Sequence, residues 1–212
     1  MGPARFQKLE QAVQHLQVAD IVLIRHRRGL LYQYIREASQ SHWNHMALVF
    51  AVFEGLGPIR RDVLIVEALE KGIEVHRLQS YARDPEAYDI GVKRMEGLTD
   101  AERDRIRGYF LDVLDTPYDF TRLFVFLIKN AIARLGGTRT LDYVKRKVIN
   151  IDNFVCSSFA QRAFYLALPP EKRDRAFFRE GSDLNFLDQM EAITPGDIAR
   201  SANTAWLYNP RD

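Results

Sequence analysis

Apolar positions recur along the first hundred residues with two different periods. Phe6, Leu9, Val13 and Leu16 fall at helical spacing, which predicts an amphipathic helix over 5–17. From Asp20 the pattern shifts to short apolar runs. Asp20-Ile21-Val22-Leu23-Ile24 reads as a buried strand, followed by a basic turn, Arg25-His26-Arg27-Arg28-Gly29. Leu30 to Ala38 reads as helix and Ser39 to Asn44 as a polar loop. Met46 to Phe53 is an unbroken apolar run of strand length, ended by Gly55, Gly57 and Pro58. Val63 to Leu69 is a second strand of this block. A tight turn at Glu70-Lys71-Gly72 leads to another over Ile73 to Leu78, whose alternation puts Ile73, Val75 and Arg77 on one face. Tyr88 to Met95 closes the block of strands.

The second half is helical in pattern. Thr99-Asp100-Ala101-Glu102 is a capping box that opens a helix to about Leu114, because the Thr99 hydroxyl and the Glu102 carboxylate can each satisfy an orphan backbone amide. Phe120 to Leu135 predicts a second helix closed by Gly136-Gly137, and Thr138 to Asn150 is basic. Asn153 to Leu168 predicts a third, ended by Pro169-Pro170. Strands followed by helices predict an α+β fold with an antiparallel sheet. There is no internal repeat or linker, so residues 1–212 read as one domain with a helical insertion at about 119–150.

Composition narrows the function. The 212 residues are 47% apolar and 27% charged, with a formal net charge of +2, too small to call for nucleic acid as a partner. The N-terminus lacks an apolar core followed by a small-residue cleavage site, and Arg122, Lys129, Asn130 and Arg134 interrupt the most apolar stretch. A cytoplasmic protein is expected, with export by another route left open. A single cysteine excludes an internal disulfide. No zinc-ligand spacing, P-loop or dinucleotide glycine pattern is present, so neither metal nor cofactor is expected.

Three residues carry candidate chemistry. Cys156 falls in the first turn of the helix that Asn153 would cap, where unpaired amides and the helix dipole favour a thiolate and could contribute to an oxyanion hole. The competing reading is a buried core cysteine. His45 ends the loop Ser41-His42-Trp43-Asn44-His45 at the entry of an apolar strand, where an imidazole can serve as a base. Taken alone, it reads first as a surface loop histidine. Glu67 lies inside the apolar strand Leu64 to Leu69, where an unpaired carboxylate is costly. In a hairpin centred near Gly57, Ala47 faces Glu67, and Glu67 shares a face with His45 on the diagonal. A slip of one residue would separate them. The alternative is a Glu67 facing water or paired with Lys71 or Arg77. His42 and His76 are rival bases, both read as surface histidines. Arg25 to Arg28 could bind a carboxylate or phosphate, though a solvated turn is the commoner reason for such a cluster.

The order Ser-His-Trp-Asn-His before an apolar strand, Val-Glu-Ala on the next, Pro117-Tyr118-Asp119, and Cys156-Ser157-Ser158 opening a helix resembles the circularly permuted papain-like amidases of the NlpC superfamily, in the YaeF/YiiX-like branch. The strand at Asp20 and Thr194-Pro195-Gly196-Asp197 add to the likeness. The resemblance implies a papain-like antiparallel sheet or barrel packed against helices. It implies a cysteine hydrolase cleaving an amide through an acyl-enzyme, with Cys156 as nucleophile, His45 as general base and Glu67 as the residue orienting it. Tyr118 would help bind the oxyanion or, equally, pack on the core as a turn tyrosine, and the stretch from Tyr118 to Cys156 is longer than the pattern leads one to expect. The substrates implied are a peptidoglycan-type peptide or an N-acyl lipid. An acyltransferase or lipid esterase on the same site, or a non-catalytic lipid- or peptide-binding module, are the alternatives. The apolar run from Phe120 beside basic Lys145-Arg146-Lys147 would suit peripheral membrane contact or, more simply, a core helix.

Overall fold

The apolar runs of the N-terminal half build a single antiparallel sheet. The computed structural model describes residues 4–54, 61–69, 72–114, 156–179, 190 and 193–212. The strands are β1 (Ile21–His26), β2 (His45–Glu54), β3 (Arg61–Leu69), β4 (Gly72–Arg77), β5 (Tyr88–Arg94) and β6 (Ala205–Tyr208). They lie in the order β4-β3-β2-β1-β5-β6, every neighbouring pair antiparallel, as an open sheet. The helices are α1 (Leu9–Val13), α2 (Leu30–Ser39), α3 (Gln79–Ala82), α4 (Asp100–Asp112), α5 (Cys156–Ala167) and α6 (Pro195–Arg200), with a 3₁₀ segment at Pro170–Ala176.

Both faces of the central strands are covered, which is why they read as continuous apolar runs rather than alternating ones. On one face Ile21, Leu23, Met46, Leu48, Val66 and Ala68 pack with Phe159, Ala160, Ala163 and Phe164 of α5. On the other, Val22, Ile24, Ala47, Val49, Val63 and Ile65 pack with Leu16, Leu78 and Tyr81. The alanines of α5 let the helix lie close to the sheet. Helix α4 braces α5 through Phe110 and Phe159, whose rings are 5.5 Å apart. Its capping box is formed: Glu102 N donates to Thr99 Oγ1 at 3.2 Å and Thr99 N to Glu102 Oε2 at 2.7 Å. Lys172 Nζ adds an ion pair to the other oxygen of Glu102.

The structure departs from the pattern in two described places. The first helix is confined to Leu9–Val13, because Phe6 N donates to Leu207 O of β6 at one end and Gln17 N to the buried Asp20 carboxylate at the other. Arg25 and His26 belong to β1 rather than to a turn. Asp89 stands opposite Arg25 on β5, so a cation is accommodated within the ladder. The expected helix over Phe120 to Leu135, the basic stretch after it, the insertion at about 119–150, the Asn153 cap and the glycine turn at 55–58 lie outside the described residues.

The β2–β3 hairpin sets the geometry of the site. Leu48 pairs with Val66 and Val49 with Ile65, and an irregularity between Val49 and Ala51 then shifts the pairing to Ala51 with Leu64. The extra residue, Phe50, makes a bulge between the site and the C-terminal end of β2. Continuing the undisturbed register past Leu48 sets Ala47 opposite Glu67, the register that puts His45 and Glu67 on one face.

Candidate active site

His45 is the first residue of β2 and Glu67 lies near the end of β3. Both share the face of Ala47, Val49 and Ile65, opposite the one that carries α5. Their side chains meet there: His45 Nε2 lies 2.7 Å from Glu67 Oε2. His45 is 5% exposed and Glu67 1%. The hydroxyl of Tyr81, on α3, donates to the same Oε2 at 2.9 Å. An ionised carboxylate only accepts, so this network assigns the proton of the pair to Nε2 and leaves Nδ1 as the basic nitrogen of the ring.

Aromatic rings wall the pair. His26, at the end of β1, lies edge-on to His45 with centroids 5.6 Å apart and stacks on Tyr32 at 3.8 Å. Tyr81 and Tyr88 meet edge to face at 4.9 Å. Burial, with the neighbouring His45 charge as a second cause, pushes His26 down to about 4, so near neutral pH it is uncharged. Burial, and then the Glu67 charge, push the Tyr81 phenol up, which keeps it a donor. Among the described residues His26 Nε2 and Glu67 Oε1 are buried atoms without a hydrogen-bond partner.

The loop before His45 is tied down at three points. Asn44 accepts from His26 N at 2.9 Å and donates to His26 O at 2.9 Å, so its side chain continues the β1–β2 ladder by one rung. Trp43 packs over Gly91 of β5 beside Trp206. A Cβ at Gly91 would come within 2.7 Å of the Trp43 ring, so no larger residue fits there without displacing the indole. Ser41 packs on Gly196, where an added Cβ would meet the Ser41 Cβ at 2.6 Å. The Thr194-Pro195-Gly196-Asp197 segment thereby supports the loop that delivers His45. Its own capping box, Thr194 with Asp197, fixes the start of α6.

A second cluster lies beside the first. Asp89 pairs with Arg25 at 3.3 Å, with Arg27, and with His42 Nε2 at 3.0 Å. Burial and then Arg25 lower the pKa of His42. Asp89, despite an opposing burial effect that is the largest single contribution, is held below its usual range by Arg27, His42 and Arg25. The Arg25–Arg28 cluster is therefore partly neutralised from within. His76, the other rival base, pairs with Glu74 at 3.0 Å on the edge strand, both side chains about one-third exposed.

Cys156 is the first described residue of α5, while its side chain and all of Tyr118 lie outside the described residues. Helix α5 lies against β2 and β3, the strands that carry His45 and Glu67. The sequence pattern does not single out Tyr81, which sits in Gln79-Ser80-Tyr81-Ala82 with no local mark of its role. It also makes His26 look like a turn residue, although His26 continues the alternation of Val22 and Ile24. Among the described residues no group of three or more His, Cys, Asp and Glu side chains could hold a metal ion, and no helix is long and apolar enough to cross a membrane.

Comparison with known proteins agrees with this architecture. The crystal structure of the metalloprotein yiiX from Escherichia coli O157:H7 superposes with a TM-score of 0.54 at 16% sequence identity, over 90% of this chain and 95% of that one. This likeness speaks to the fold. No curated protein matches the chain in sequence. The sequence profile of a family described as permuted papain-like amidase enzyme, YaeF/YiiX, C92 family, matches residues 15–204. The chain thus belongs to the permuted papain-like amidases of the YaeF/YiiX, C92 family, a family of cysteine hydrolases.

Proposed function

We propose that the protein hydrolyses an amide bond through an acyl-enzyme on Cys156, with His45 as general base and acid and Glu67 as the group that orients His45. The observation that carries this reading is the buried 2.7 Å contact of His45 Nε2 with Glu67 Oε2, which commits Nε2 and leaves Nδ1 to do the proton transfer. The chain supports it further by holding one cysteine, so a cysteine hydrolase built from it has one candidate nucleophile.

In this reading His45 Nδ1 takes the Cys156 thiol proton and the thiolate attacks the amide carbonyl. The amide N–H at the start of α5 and the Tyr118 hydroxyl stabilise the oxyanion. The imidazolium returns the proton to the leaving nitrogen, the C–N bond breaks, and an amine departs. Water, deprotonated by His45, then attacks the thioester; the carboxylic acid leaves and the thiol is restored. Glu67 stabilises the imidazolium in both halves without itself taking the proton. His45 stands on the face away from α5 but at the first position of its strand. The mechanism therefore requires the N-terminus of α5 to come over that end of the sheet.

The substrates proposed are an amide of a peptidoglycan-type peptide and an N-acyl amide, and the test uses both. Wild-type protein is expected to release amine from one of them and, with hydroxylamine added, to yield the hydroxamate of its acyl group. Cys156→Ala is expected to release none while keeping the wild-type melting curve. Normal turnover by Cys156→Ala would overturn the proposal.

A further inference from the structure

The Glu67 side chain has no exposure to solvent, and a carboxylate there must be held by donors. The described residues provide two, and both bind one oxygen: His45 through Nε2 and Tyr81 through its hydroxyl. Both keep that proton through the proposed cycle, in which only His45 Nδ1 changes state, but Tyr81 is the one that stays neutral throughout, its phenol held so by burial and by the carboxylate itself. Its position is determined by packing. Helix α3 follows β4 directly, the Tyr81 ring is 8% exposed, and Tyr88 and His26 flank it edge to face at 4.9 and 5.9 Å.

We infer that Tyr81 is a positioning residue that holds the Glu67 carboxylate, and through it the His45 imidazole, in the geometry the thiol chemistry needs. This inference rests on the reading of Cys156 and His45 as the reacting pair. A carboxylate rotating about its terminal bond would present its other oxygen, or its edge, to the imidazole. A second donor on Oε2 pins that rotation. It also makes the ionised carboxylate less costly to bury, since a hydrogen bond to a charged acceptor is among the strong ones. Oε1 has no hydrogen-bond partner among the described residues, so within them Tyr81 alone provides this second contact.

Other titratable groups face the carboxylate. Glu74 stands directly opposite Glu67 on β4 and is paired with His76. His26 approaches from β1, while Tyr32 of α2 and Tyr88 of β5 lie beside the Tyr81 phenol. Near neutral pH His26 is uncharged, so among these neighbours it adds no cation beside the carboxylate.

The test reads the rate at which iodoacetamide alkylates the full-length protein between pH 4 and 9, followed by mass, since the chain has only one thiol. Wild type, Tyr81→Phe, Glu67→Gln, the double variant, His45→Ala and Tyr88→Phe are compared below their melting temperatures. Tyr81→Phe keeps the ring and loses only the hydroxyl. It is expected to move the acid limb of the profile up by about one pH unit, about a tenfold slower reaction below the limb. In the Glu67→Gln background the same change is expected to alter the rate less than about twofold, because its route to the thiol has been removed. Tyr88→Phe, which changes a neighbouring ring, is expected to leave the profile in place. An unmoved profile in Tyr81→Phe beside a moved one in Glu67→Gln would overturn the inference. So would an equal shift in Tyr88→Phe, or an undiminished Tyr81→Phe effect without Glu67. An unmoved profile in His45→Ala would instead overturn the reading of the reacting pair.

Discussion

His45 and His42 are three residues apart, and each meets a carboxylate, Glu67 for one and Asp89 for the other, at 2.7 and 3.0 Å. The first pair is buried on the inner face of the hairpin, and the second donor on its carboxylate is a neutral phenol. The second pair lies by the β1–β5 ladder, and its carboxylate is already claimed by two guanidiniums, one of them 45% exposed. An imidazolium at His45 would meet a carboxylate with no described cation on it; one at His42 would meet Arg25, which disfavours it. The same two residue types thus make a candidate base in one place and a structural clamp in the other. What separates them is the number of competing cations and the water each pair retains.

The largest expected contrast is chemical. His45→Ala should slow alkylation of Cys156 near pH 6 by about 10³-fold, within the range for loss of a positioned base, and His42→Ala by less than about twofold. Equal effects would erase the distinction. Stability comes next. Glu67→Ala strands His45 and Tyr81 in a buried site and should cost about 3–5 kcal/mol by urea denaturation. Asp89→Ala, removing a partly solvated clamp, should cost about 1 kcal/mol.

Acid separates the regions further. Between pH 6.5 and about 4 the unfolded chain protonates His26 while the folded chain holds it neutral, so stability should fall as pH drops through that window and level off below it. The loss should be at most about 3 kcal/mol. It should vanish in His26→Phe, which keeps the stack on Tyr32. Asp89 acts lower. Its folded value lies below 3.8, so its contribution is present above that pH and fades as pH falls through the folded value. The stability gap between wild type and Asp89→Asn should therefore be steady above about pH 4 and close below it, the smallest of these effects. A gap that opens between pH 4 and 6.5 instead would assign the acid sensitivity to the wrong cluster.

Much of the sheet is legible in the sequence, because covered strands announce themselves as apolar runs and the Thr99–Glu102 box marks its helix by residue type alone. The Glu67–His45 contact is legible only as a condition on register. The bulge at Phe50 shows how narrow that condition is: the same slip on the other side of Val49 would have turned the two side chains to opposite faces. His26 is hidden because a charged neighbour, Arg25, looks like a turn residue until Asp89 is seen across from it.

The order of strands and helices, the lone thiol at the start of a helix and the costly carboxylate in an apolar strand are properties of the chain's own residues, since each follows from local pattern and side-chain chemistry. Which histidine meets which carboxylate, and that Tyr81 joins them, depends on the folded arrangement. Those contacts span 22 and 14 residues and rest on strand register and on where α3 folds back, and no local pattern in the chain encodes either.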